Sequence, residues 1–109
     1  MTNNPVLQAL SQRILILDGA MGTQLQARNL TAADFGGEAY EGCNEMLVLT
    51  RPDVIEDVHK AYLAAGADIV ETCSFGSTDI VLAEYGLANK AFELNKASAE
   101  VARRACDAF

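Results

Sequence analysis

Four consecutive apolar residues, Ile14-Leu15-Ile16-Leu17, stop abruptly at Asp18-Gly19, and this junction constrains the fold more than any other feature of the chain. The run is too short for a helix. Because it is unbroken rather than alternating, it predicts a strand buried on both faces, as in a parallel sheet. Two glycines and an acid in Asp18-Gly19-Ala20-Met21-Gly22-Thr23 then mark a tight turn. A second short strand is predicted at Asp68-Ile69-Val70-Glu71-Thr72. Between them lies the clearest helix. Pro52 sits in its first turn, and Asp53, Glu56 and Asp57 favour the positive end of its dipole. Ile55, Val58 and Tyr62 share one face, and Gly66 is placed as the C-terminal stop.

Strand, crossover helix and strand make a right-handed βαβ unit, which puts the C-terminal ends of both strands on one rim. Ligands bind on that rim in α/β folds. The expected fold class is therefore α/β. Around this unit, Asn4-Pro5 opens a short helix carrying Val6, Leu7 and Leu10, and Asn29 to Thr50, interrupted by Gly36-Gly37 and Gly42, reads as a long loop. A shorter helix is expected from Ser77 to Tyr85, closed by Gly86. The last helix carries Ala91, Leu94, Ser98, Val101 and Ala105 at helical spacing. No repeat or polar linker divides residues 1–109, so one domain is expected.

Charge excludes some partners. Eight Lys+Arg face 15 Asp+Glu, a net charge of −7, which argues against nucleic acid or an anionic membrane as the main partner. No apolar run approaches a membrane span, and the start lacks the form of a signal peptide, so a cytoplasmic location is expected. Cys43, Cys73 and Cys106 fit neither a disulfide framework nor a CxxC metal knuckle, and read as three reduced thiols.

On the rim, the Asp18–Thr23 turn has the properties of an anion cradle. Gly19 lets backbone approach a ligand, and successive N–H groups of a sharp turn can converge on an oxygen anion. Asp18 adds a carboxylate, and donors beside an acceptor suit a zwitterion. The alternative is a glycine turn after a buried strand, with Asp18 satisfied locally. Glu71 either orients a substrate or is a carboxylate paired inside the fold. Cys73 and Ser74 show no nucleophile–base pairing, and His59, the only histidine, reads as a packed or surface helix residue.

These residues, in this order, resemble the start of the homocysteine S-methyltransferase family. The likeness is carried by Ile14 to Thr23, Leu49-Thr50-Arg51-Pro52-Asp53-Val54-Ile55, His59, Tyr62, Ala65 to Thr72, Phe75-Gly76 and Glu84-Tyr85-Gly86-Leu87. Within the family, Ala33 to Glu38 and Gly42-Cys43-Asn44-Glu45 are most similar to the cobalamin-dependent members. The resemblance implies a (β/α)₈ TIM barrel of about 250 residues, of which this chain would be an N-terminal fragment of about two βα units. It implies homocysteine as substrate, held as a thiolate by zinc and methylated from methylcobalamin, the methyl coming from 5-methyltetrahydrofolate. The substrate-binding residues it points to are Asp18, Gly19, Ala20, Met21, Glu71, Thr72 and Phe75. No catalytic residue or metal ligand is assigned, because the family's three zinc-binding cysteines, two of them adjacent, have no counterpart here. Cys73 stands where relatives commonly carry Asn. The fragment alone is expected to be inactive and to self-associate through exposed strand edges. The alternatives are betaine or S-methylmethionine as methyl donor, or a non-catalytic amino-acid- or anion-binding α/β module.

Overall fold

The structure is a computed structural model and describes residues 3–109. It corrects the expected fold class. Among the described residues there is no strand ladder and no sheet, and the secondary structure is helical, so the chain is not a pair of βα units. The two predicted strands do meet, but only through one isolated parallel bridge, Leu17 to Ile69. A ladder needs successive paired residues, and here the backbone bonds between the segments involve only Ile16, Asp18, Asp68 and Ile69. Burial on both faces also fails. Ile14 is 86% exposed and Leu17 57%, because among the described residues nothing packs over this run. The expected open strand edges are thus a stretch of exposed apolar side chains instead.

The core is built by two helices at an interface of small and branched side chains. α4 (Pro52–Ala64) and α6 (Ala91–Ala108) pack together, with α3 (Leu47–Thr50) against both. α4 begins with Pro at its first position, where a missing N–H costs nothing, and has Asp53 in its first turn. It ends in a Schellman arrangement: the Gly66 N–H donates to Leu63 O, and the Ala67 N–H to Tyr62 O, both at 3.0 Å. Gly66 adopts φ +113°, which side-chain-bearing residues disfavour. α4 buries Val54, Ile55, Val58, His59 and Leu63. α6 answers with Leu94, Ser98, Val101, Ala102 and Ala105, and Glu56 bridges their edge to Lys60 (2.8 Å) and Arg104 (3.1 Å).

Three shorter helices complete the set. α1 (Pro5–Leu10) is capped as expected by Asn4 Oδ1, which accepts from the Val6 and Leu7 N–H groups. α2 (Gly22–Gln26) takes up the end of the stretch expected to be a tight turn, and residues 18–20 before it carry no turn. α5 (Asp79–Leu82) is capped by Thr78 and runs into a 3₁₀ turn, Ala83–Tyr85, that ends at Gly86. The expected loop over 29–50 is instead a chain of 3₁₀ turns (Ala32–Phe35, Glu38–Tyr40, Asn44–Met46) leading into α3. It buries Phe35, Cys43, Leu47 and Val48. Arg51 fastens its start by pairing with Asp34 and Asp53. Among the described residues no helix is long and apolar enough to cross a membrane.

His59 gives this core a pH dependence. It is fully buried, and burial pushes its imidazole below its ordinary value, against the smaller opposing pull of Asp18 and Glu56. The unfolded chain therefore binds more protons below about pH 6.5, and stability must fall as pH falls through that region. The carboxyls of Asp34, Asp53, Glu56 and Asp68 are all held below their usual range, so they lose their contribution only at lower pH. The thermal midpoint of the wild-type chain is expected to decline between pH 7 and 5.5, and His59→Gln to flatten that window. A flat wild-type profile would contradict the assignment.

Candidate functional site

Residues 18–21 and the second predicted strand come together through an exchange of carboxylate contacts. Asp68 Oδ2 accepts the Ile16 N–H at 3.0 Å, and Asp68 Oδ1 pairs with Arg13 at 2.9 Å. In the opposite direction, Asp18 Oδ2 accepts the Glu71 N–H at 3.1 Å. Three backbone bonds lie between these clamps, Asp68 N–H to Ile16 O (2.8 Å), Ile69 N–H to Ile16 O (3.2 Å) and Asp18 N–H to Ile69 O (2.9 Å). Arg13, then the Ile16 N–H, hold the Asp68 carboxyl well below the usual carboxylate range.

α4 fixes residues 18–21 from behind. The Tyr62 hydroxyl donates to the Ala20 carbonyl at 2.7 Å. A Cβ on Gly19 would stand 3.1 Å from that hydroxyl and 3.3 Å from the ring, so glycine is what allows the tyrosine to lie against the backbone. Among the described residues, nothing accepts a hydrogen bond from the N–H groups of Gly19, Ala20 or Met21. Three successive donors are therefore without an acceptor among the described residues.

A cavity of about 470 Å³ opens there, lined by Asp18, Gly19, Ala20, Met21, Glu71, Thr72, Ser74 and Phe75. All seven residues singled out from the sequence thus border one space, with Ser74 added. Glu71 is exposed and has no ion-pair partner among the described residues. Asp18 is differently disposed. One oxygen is held by the Glu71 N–H, and the other, Oδ1, is buried without a partner. Thr72 Oγ1 and Ser74 Oγ share a short hydrogen bond, and Phe75 stands fully exposed at the mouth.

A second cavity of about 290 Å³ shares Met21, Thr72, Ser74 and Phe75 with the first and reaches Asn44 and Glu45. Glu45 Oε2 accepts the Gly76 N–H at 3.0 Å, and a Cβ on Gly76 would lie 3.1 Å from that carboxylate. Glu45 and Tyr62 hold the two rim segments in place, yet neither was singled out for the site from the sequence. The spacing Gly42-Cys43-Asn44-Glu45 was visible, but nothing in it told that the carboxylate would reach across to Gly76.

The thiols do not fit a metal centre. Cys73 is buried with its Sγ directed at Asn44 O, and burial, then the neighbouring Glu45 and Cys43, push its pKa up to about 12. Burial likewise raises Cys43. A zinc-binding thiol must be a thiolate, and both environments oppose that charge. Among the described residues no three His, Cys, Asp or Glu side chains are grouped to hold a metal.

Both rim segments border the cavity of about 470 Å³, and comparison with known proteins places the chain in a family. The model for homocysteine S-methyltransferase matches residues 15–109, so the chain belongs to the homocysteine S-methyltransferase family. It is 50% identical over 102 residues to methionine synthase of Mycobacterium tuberculosis (strain ATCC 25618 / H37Rv) and 49% identical over 102 residues to that of Mycobacterium leprae (strain TN). Each match covers 94% of this chain and 8% of the relative, so the chain spans under a tenth of those proteins. Among solved structures it is similar to the homocysteine methyltransferase MmuM from Escherichia coli. The oxidized form matches with a TM-score of 0.78 at 35% identity, over 97% of this chain and 35% of that one. The metallated form matches with a TM-score of 0.77 at 33% identity, over 96% and 35%.

Gly19→Ala tests the frame of the site. It is expected to lower the thermal midpoint and to free the Tyr62 hydroxyl, raising hydrogen exchange across residues 18–21. Tyr62→Phe, which loses only the hydrogen bond, should cost about 1 kcal/mol. Equal stability of Gly19→Ala and wild type would show that Tyr62 does not pack on this backbone.

Proposed function

We propose that this chain forms the amino-acid-gripping part of a homocysteine S-methyltransferase of the methionine synthase type. The observation that carries the reading is the cavity bordered by Asp18 to Met21 and by Glu71, Thr72, Ser74 and Phe75, beside three backbone N–H groups with no acceptor among the described residues. The N–H groups of Gly19, Ala20 and Met21 take the carboxylate of homocysteine, and Glu71 takes its ammonium. Asp18 does not face the ligand with both oxygens. Its role is to hold the Glu71 backbone. Thr72, Ser74 and Phe75 border the remaining space, where the thiol-bearing arm extends.

Methyl transfer to homocysteine gives methionine, and in this reading zinc, cobalamin and 5-methyltetrahydrofolate act with parts of the parent enzyme other than these residues. The small share of the methionine synthases that this chain spans supports that division, and so does the high thiol pKa of Cys73. The chain alone is then inactive. The identity to the two methionine synthases exceeds that to MmuM, which favours cobalamin over betaine or S-methylmethionine as the donor.

Calorimetry with the chain and L-homocysteine, without added metal, tests this. Binding near the millimolar range, about −4 kcal/mol, is expected for a grip on the head group alone. L-homoserine, which keeps the head group and lacks the thiol, should bind within about threefold, and Glu71→Gln should weaken both about tenfold. Absence of binding, or a strong preference for the thiol, would overturn the reading.

A further inference from the structure

The cavity of about 290 Å³ adjoins the one at residues 18–21 and has no part in the grip on the amino-acid head. Met21, Thr72, Ser74 and Phe75 line both cavities, whereas Asn44, Glu45 and Cys73 line only the smaller one. A ligand with its head group at residues 18–21 carries its side chain past the shared residues. The next groups it meets are those of the smaller cavity, and Glu45 is the only charged one among them. Glu45 is half-buried. Its Oε2 accepts the Gly76 N–H at 3.0 Å, and its Oε1 lies 3.9 Å from the Cys43 thiol. Both donors are uncharged, and among the described residues no Lys, Arg or His pairs with this carboxylate. Its negative charge is therefore uncompensated, in a place where like charges repel several times more strongly than in water. The other walls are neutral. The Cys73 thiol donates to the Asn44 carbonyl at 3.8 Å, and Met21 and Phe75 add apolar surface that suits a methylene or sulfur-bearing chain.

We propose that the smaller cavity receives the side chain of the bound amino acid, and that Glu45 sets its class: uncharged thiol, thioether and carboxamide arms are admitted, and carboxylate arms are excluded. The inference rests on the reading of this rim as an amino-acid grip and deepens it. At about pH 7 the thiol of homocysteine is mostly protonated, so homocysteine belongs to the admitted class. Glu45 thus acts twice. One oxygen ties the second rim segment down at Gly76, and the charge of the group selects what lies beside it.

L-Glutamine and L-glutamate test this, because they match in size and differ by one charge at the end of the arm. Amide-shift titrations of the chain near pH 7 and at about 0.15 M salt, where long-range repulsion is screened, compare them with L-homocysteine. L-Glutamine is expected to bind within about threefold of L-homocysteine, and L-glutamate at least about tenfold more weakly than L-glutamine. Glu45→Gln keeps a carbonyl to accept the Gly76 N–H and removes the charge, so it should narrow the glutamine–glutamate gap to within about threefold. Glu71→Gln removes a charge from the head-group side, and should weaken both ligands while keeping the gap. Equal binding of the two by the wild-type chain, a gap unchanged in Glu45→Gln, or a gap closed by Glu71→Gln instead would overturn the proposal. If L-homocysteine does not bind at all, the grip itself fails and this inference with it; if it binds and the gap is missing, only this inference fails. Should Glu45→Gln not fold, the wild-type gap and its persistence in Glu71→Gln decide.

Discussion

The site depends on a reciprocal clamp between two aspartates on two chain segments. Asp68 reaches back to the Ile16 N–H and Asp18 reaches forward to the Glu71 N–H, each carboxylate accepting from the backbone of the other segment. A two-segment contact with a single bridge has little pairing of its own to fix its register. The carboxylates supply it, and charge-assisted bonds of this kind are stronger than neutral ones. Arg13 neutralises Asp68 from outside, while α4 backs residues 18–21 through Tyr62. If the clamp slipped by one residue, Glu71 and residues 18–21 would no longer border the same cavity.

That clamp also shows what the sequence could and could not disclose. The punctuation at Asp18-Gly19 marks where the apolar run ends, and residues 18–21 border the cavity. The predicted tight turn does not form: residues 18–20 carry no turn, and α2 begins at Gly22. The same apolar run implied burial on both faces, and this is where the reading failed. Apolar character records a demand for partners, and among the described residues Ile14, Ile16 and Leu17 have none over them. The proline start, the buried face and the glycine stop of α4 were legible because they are local signals of helix geometry. The 29–50 segment was not, since turns of three or four residues show no periodicity, and its buried Phe35, Leu47 and Val48 are set by tertiary packing. The site contacts of Glu45 and Tyr62 are not legible for a related reason: each acts on a residue 31 or 42 positions away.

The chemistry divides accordingly. Residues 18–21 and 71–75 offer backbone donors, hydroxyls and a carboxylate, groups suited to orienting an amino acid. They offer no thiolate, since Cys73 is held protonated by its surroundings. These groups fit the proposed grip on an amino-acid head, and the proposed methyl transfer calls on groups that these residues do not contain.

The most direct measurement is a titration of the ¹⁵N-labelled chain with L-homocysteine, followed through backbone amide shifts. If the rim grips the amino-acid head, the amides of Gly19, Ala20, Met21, Glu71 and Thr72 move together and saturate with one affinity. Shifts centred instead on the separate cavity bordered by Gln26, Asn29 and Asn44, or no shifts at all, would contradict it.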